Sequence, residues 1–84
     1  MPVTIRTIEA PMPGVIYLKA TPDSAPYKQP GDLVAAGETI GLIEVMKSFM
    51  PVEADSSGRL LRFLIANEDA VEPGQPICEI EIAD

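Results

Sequence analysis

One lysine in an unusual setting, Lys47 of Glu44-Val45-Met46-Lys47-Ser48-Phe49, is what this chain offers to chemistry. Histidine is absent, so neither a Ser-His nor a Cys-His dyad can be assembled, and a zinc site would lack its commonest nitrogen ligand. The carboxylates are spread along the chain rather than grouped at the spacing of a metal loop, so no metal site is expected. Cys78, the single cysteine, falls on an inward strand position and reads as core rather than nucleophile. No residue is assigned a catalytic role, and the chain is not expected to be an enzyme by itself.

The elements that must position Lys47 read as β throughout. Pro and Gly punctuate the chain at 11–14, Pro30-Gly31 and Pro73-Gly74, and no stretch between them keeps a helical period. Near the end, Cys78, Ile80 and Ile82 alternate with Glu79 and Glu81, as in a strand with one buried face.

An internal repeat organises these strands. Ile8-Glu9-Ala10 followed by Gly14 matches Val52-Glu53-Ala54 followed by Gly58, at an offset of 44 residues. Asp32, Val34, Gly37, Ile40, Ile43 and Glu44 match Asp69, Val71, Gly74, Ile77, Ile80 and Glu81, at an offset of 37. The first half is therefore seven residues longer than the second, and the surplus lies between Gly14 and Asp32. Either half alone would leave an apolar face wet, so the two are expected to bury each other in a compact sandwich or flattened barrel of approximate two-fold symmetry. The 84 residues make one small domain, with half 1 at about 3–46 and half 2 at about 48–84.

The halves meet at the lysine. By the repeat, Ile43 and Val45 point inward with Ile80 and Ile82, and Glu44 and Met46 point outward with Glu81 and Ala83. A hairpin turning at Met46-Lys47 puts both at its tip. An exposed turn lysine is ordinarily a solvated charge. This turn, however, lacks the Asn, Asp or Gly that two-residue hairpins favour, and it exposes an apolar methionine with no gain to the core. A turn that breaks local rules without structural benefit points to function.

Glu44-Val45-Met46-Lys47 resembles the biotin-attachment motif of biotin carboxyl carrier proteins, usually Glu-Ala-Met-Lys-Met, and the likeness runs from about Glu9 to Ile82. It includes Ala54-Asp55-Ser56-Ser57-Gly58, similar to that family's Glu-Ala-Asp-x-Ser-Gly segment. Val45 stands where alanine is usual, and Ser48 and Phe49 where methionine is common. The surplus residues, about 19–27, resemble the thumb inserted in the first half of acetyl-CoA carboxylase carriers. The resemblance implies an all-β flattened barrel of two four-stranded antiparallel sheets, with the modified lysine on the hairpin joining the halves. It implies covalent biotin on Lys47, with Glu44, Val45 and Met46 beside it and the thumb residues Thr21, Pro22 and Asp23 touching the biotin ring. The implied partners are a biotin protein ligase, a biotin carboxylase and a carboxyltransferase, served by a swinging arm, with fatty acid biosynthesis as the setting. A lipoyl carrier is the nearest alternative, although Asp-Lys is usual there. An unmodified interaction module of the same fold is another.

Bulk properties agree with a carrier. Thirteen acidic and six basic residues give a net charge of −7, which disfavours nucleic acid because phosphate binding needs clustered Lys and Arg. No apolar run is long enough to span a bilayer, and the start of the chain lacks the shape of a signal peptide. With one cysteine and no internal disulfide, a cytoplasmic location is expected.

Overall fold

The structure, a computed structural model, describes residues 3–21 and 23–83; Pro22 of the thumb lies outside them. Among the described residues there are eight strands and no helix: β1 (Val3–Glu9), β2 (Gly14–Tyr17), β3 (Leu33–Val34), β4 (Thr39–Val45), β5 (Ser48–Glu53), β6 (Gly58–Phe63), β7 (Ala70–Val71) and β8 (Pro76–Ala83). They form two four-stranded antiparallel sheets, ordered β1-β8-β6-β3 and β5-β4-β2-β7. Replacing each strand by its repeat partner (β1 by β5, β2 by β6, β3 by β7, β4 by β8) turns the first order into the second. The repeat is thus a true quasi-two-fold of the fold, and each sheet takes two strands from either half.

The core follows the same symmetry. Its buried residues fall into the pairs Ile8/Val52, Ala10/Ala54 and Ile16/Leu60 at the first offset, and Val34/Val71, Ile40/Ile77 and Ile43/Ile80 at the second. Cys78 takes the place that Gly41 holds in the other half, and both are buried. Each large aliphatic side chain removed from water contributes roughly 1.5–3 kcal/mol, so these pairs are the main drive to fold. Burial holds the Cys78 thiol un-ionised, its pKa pushed up to about 12 with a smaller contribution from Glu79, as suits a core residue. The alternation expected of the last strand holds for Cys78 and Ile80, and Ile82 packs on the core from its margin.

Backbone hydrogen bonds repeat as pairs across the halves. Gly37 donates to the Ala54 carbonyl and Gly74 to that of Ala10, both at 2.8 Å. Leu60 donates to Asp32 and Ile16 to Asp69, both at 2.9 Å. Each aspartate also accepts a turn amide on its carboxylate, Asp32 from Gln29 at 2.9 Å and Asp69 from Ala66 at 2.8 Å. These interlocks explain why Asp recurs at matching positions.

Two glycines allow the closest approach of the strands. A side chain at Gly14 would meet the Glu44 carbonyl oxygen at 2.5 Å and the Ile43 side chain at 2.6 Å. At Gly58 it would run into the Glu81 carbonyl and the Ile80 side chain, the repeat partners of the first pair. Gly14→Ala and Gly58→Ala are each expected to destabilise the chain by about 2 kcal/mol, since backbone cannot yield as a side chain can. Urea unfolding measures this; an unchanged midpoint for either variant contradicts the close approach.

Candidate functional site

The site is built around the β4–β5 hairpin. Val45 pairs with Ser48, Glu44 with Phe49 and Ile43 with Met50, which leaves Met46 and Lys47 as the whole turn. Ile43 and Val52 are buried on either side of it, and shifting the register by one residue would turn both out of the core. Of the two favoured two-residue hairpin turns, type I′ needs positive φ at both central residues and type II′ at the first only. Met46 and Lys47 supply it without glycine, at φ 51° and 68°. Left-handed backbone costs an ordinary residue roughly 1–2 kcal/mol, and strain of this kind concentrates at functional positions.

At the tip Met46 is 93% exposed, and Lys47 is exposed beside it. Among the described residues no hydrogen bond or ion pair engages the Lys47 amine. Val45 packs half-buried against the core and Glu44 lies on the outer face, as the repeat indicates. That outer face continues into Tyr17, Leu42 and Phe49. The Tyr17 hydroxyl donates to Glu44 Oε1 at 3.0 Å, and its ring meets that of Phe49 with centroids 6.0 Å apart at 55°. The hydrogen bond to Glu44 is the chief cause holding the Tyr17 phenol above its ordinary pKa, followed by burial and the charges of Glu44 and Glu68.

The surplus loop between β2 and β3 arches over the same face. A bridge between Lys19 and Pro26 closes its base, and the Ser24 amide donates to the Thr21 carbonyl at 3.1 Å. The Thr21 and Ser24 hydroxyls are 2.6 Å apart. Asn67, from the other half, accepts the Leu18 amide on its side-chain oxygen at 2.7 Å and fixes where the loop leaves β2. Between loop and sheet runs a groove of about 180 Å³, lined by Tyr17, Lys19, Ala20, Thr21, Leu42, Phe49, Asn67 and Glu68.

Of the residues singled out from sequence, Glu44, Val45, Met46 and Lys47 stand together on the hairpin, and Thr21 reaches the groove beside Phe49. Asp23 is exposed and does not line the groove, nor does Lys47. Sequence reading missed Tyr17, Leu42, Asn67 and Glu68. Tyr17 and Leu42 carry a signal in retrospect, being outward strand positions with apolar side chains. Asn67 carries none, because its contact joins loops 49 residues apart. Among the described residues no three His, Cys, Asp or Glu side chains stand together to hold a metal ion. No helix there is long and apolar enough to cross a membrane.

Residues 6–80 match the family described as Biotin-requiring enzyme. The chain is 40% identical over 74 residues to the biotin carboxyl carrier protein of acetyl-CoA carboxylase from Streptococcus pyogenes serotype M6, covering 88% of this chain and 45% of that one. It is 35% identical over 77 residues to the protein so described from Nostoc sp., covering 92% and 42%. It spans less than half the length of these curated relatives. Among solved structures, the Kluyveromyces lactis urea carboxylase matches 95% of this chain and 6% of its own, at 30% identity and a TM-score of 0.76. A single-chain, multi-domain long-chain acyl-CoA carboxylase matches 95% and 7% at 22% identity and a TM-score of 0.74, a likeness of fold.

The strain in the turn is measurable. Met46→Asn places a residue tolerant of left-handed backbone at the first strained position and is expected to raise stability by about 0.5–1 kcal/mol. A lowered urea midpoint contradicts this account of the turn.

Proposed function

The chain belongs to the biotin-requiring enzyme family, and on that premise we propose that it is a biotin carboxyl carrier domain modified at Lys47. The observation that carries this reading is the strained, fully presented Met46-Lys47 turn at the tip of a hairpin whose register the core dictates. An unengaged, exposed amine on a rigid turn fits covalent attachment, because a ligase can close around the tip without unfolding the sheet. Acylation converts the ammonium to a neutral amide, and among the described residues no ion pair is lost by it.

Biotin bound there supplies the carboxyl-carrying chemistry. The chain's own residues present and position it. The β4–β5 register fixes the root of the arm, which lowers the ordering needed at each docking event. A long tether on that root raises the effective concentration of the ring at each site it can reach. Glu44, Val45 and Met46 form the surface read beside the lysine. Thr21, with Pro22 and Asp23, belongs to the thumb that meets the ring; Thr21 already faces the groove next to Phe49. The partners on this reading are a biotin protein ligase, a biotin carboxylase and a carboxyltransferase, in the cytoplasm. The thumb-like loop and the acetyl-CoA carboxylase carriers among the relatives favour an acetyl-CoA-type carboxylase. The two halves, about 3–46 and 48–84, act as one carrier domain, which brings no catalytic residue of its own. Met46, where lipoyl carriers usually have Asp, favours biotin over lipoate.

Co-expression with a biotin ligase, followed by intact mass and peptide mapping, tests the assignment. One biotin is expected on the peptide containing Lys47, and none on Lys47→Arg, whose stability should stay within about 0.5 kcal/mol of the parent. A wild-type chain that gains no biotin but accepts lipoate is a lipoyl carrier instead. Deletion of residues 21–26 is expected to leave both sheets intact and to shift the NMR signals of the attached biotin. Identical signals with and without the loop exclude contact between thumb and ring.

A further inference from the structure

The quasi-two-fold makes one half a control for the other. Glu44 and Glu81 are repeat partners, and both lie on the outer face of a sheet, one residue beyond the buried Ile43 and Ile80. Their neighbours are matched as well. Phe49 stands opposite Glu44, and Ile5 opposite Glu81; Val15 stands opposite Glu44 on the other side, and Arg59 opposite Glu81. Tyr17 stands opposite Leu42, and the equivalent place, opposite Glu79, is held in the other half by Arg62, because Leu61 bulges out of the β6–β8 register. Only the half that bears the lysine has a hydroxyl at this place. In the other half Arg62 bonds Glu79 at 2.6 Å instead, so among the described residues the equivalent of Tyr17 is not bonded to Glu81, and the sheet closes without a tether on that glutamate.

What the bond does is fix a carboxylate three residues before Lys47. Glu44 is on β4, between β2 with Tyr17 and β5 with Phe49. The two rings pack against each other beside it, with centroids 6.0 Å apart, and the 3.0 Å hydrogen bond ties the carboxylate to the first of them. Tyr17 engages Glu44 Oε1, and among the described residues no hydrogen bond engages Oε2, which can accept a donor from outside. A free glutamate on a strand samples several rotamers, and a partner that binds it must select one.

We propose that Tyr17 is a positioning residue for modification of Lys47: its hydroxyl holds the Glu44 carboxylate in the orientation that the modifying ligase engages. The inference rests on the reading of Lys47 as a biotin site. Tyr17 need not touch biotin or the ligase itself; it acts through Glu44.

Steady-state biotinylation of the unmodified chain by a purified biotin ligase tests this, with the chain as the varied substrate. Tyr17→Phe keeps the ring and its packing on Phe49 and removes only the hydroxyl. It is expected to raise KM about fivefold, the scale of one net hydrogen bond, with kcat unchanged. Glu44→Gln is expected to raise KM at least as much, and Tyr17→Phe combined with Glu44→Gln no further than Glu44→Gln alone. A merely structural role would instead lower the urea midpoint of Tyr17→Phe, and such a drop with KM unchanged overturns the proposal. Multiplying effects of the two substitutions overturn it too, because Tyr17 would then act independently of Glu44. Labelled wild type with an unaltered Tyr17→Phe variant refutes this inference alone, whereas wild type that takes no biotin refutes the biotin reading together with it.

Discussion

Leu60 gives its amide to the carbonyl of Asp32, and Ile16 gives its amide to the carbonyl of Asp69, so each half of the chain completes the backbone of the other. Most of the structure depends on this exchange. It brings strands of opposite halves into one sheet, while within each half Gly14 and Gly58 let neighbouring strands cross where a side chain would not fit. It also fixes the register of β4 and β5, because Ile43 and Val52 are already committed to a core built jointly by both halves. Once that register is set, only two residues remain to turn the hairpin, and both take left-handed backbone although neither is glycine. The strained lysine is thus a consequence of interlocking far from it.

Symmetry of the backbone leaves the outer faces free to differ, and they do. On the sheet ordered β1-β8-β6-β3 the outward positions include Arg59, Glu79, Glu81 and Thr7, and Arg62 reaches Glu79 at 2.6 Å. The matching positions on the other sheet hold Val15, Leu42, Glu44 and Pro51, with Tyr17 and Phe49 beside them. Both faces are open to water, and a salt bridge at such exposure stabilises little, so neither pattern is a demand of stability. An exposed aromatic such as Phe49, 54% accessible, has a cost in solubility that a charged residue avoids. The apolar face is the one next to the lysine and under the inserted loop.

How much of this was legible in the sequence follows from which interactions are periodic. Buried positions repeat because the two cores are made alike, so matching Ile8 with Val52 and Ile43 with Ile80 was enough to place both halves and the hairpin between them. The seven-residue surplus was legible for the same reason, as the one interval where the offsets disagree. Exchange of strands between sheets was not, because a half that packs face to face on its twin and a half that swaps strands with it bury the same residues. Neither was the Tyr17–Glu44 bond or the seat of Leu18 on Asn67. Those contacts join side chains across strands or loops, and no spacing along the chain encodes them.

The turn itself was legible as an anomaly but not as a conformation. Asn-Gly at positions 46 and 47 would make the hairpin without strain, yet glycine carries no amine and asparagine no long apolar side chain. Met46 and Lys47 stand at the tip of the hairpin, and in this topology the tip is a left-handed position. The β4–β5 register holds them there because the alternatives expose Ile43 and Val52, at roughly 1.5–3 kcal/mol for each such side chain, against roughly 1–2 kcal/mol of strain for each turn residue. The core therefore holds Met46 and Lys47 in left-handed backbone at the tip of the hairpin.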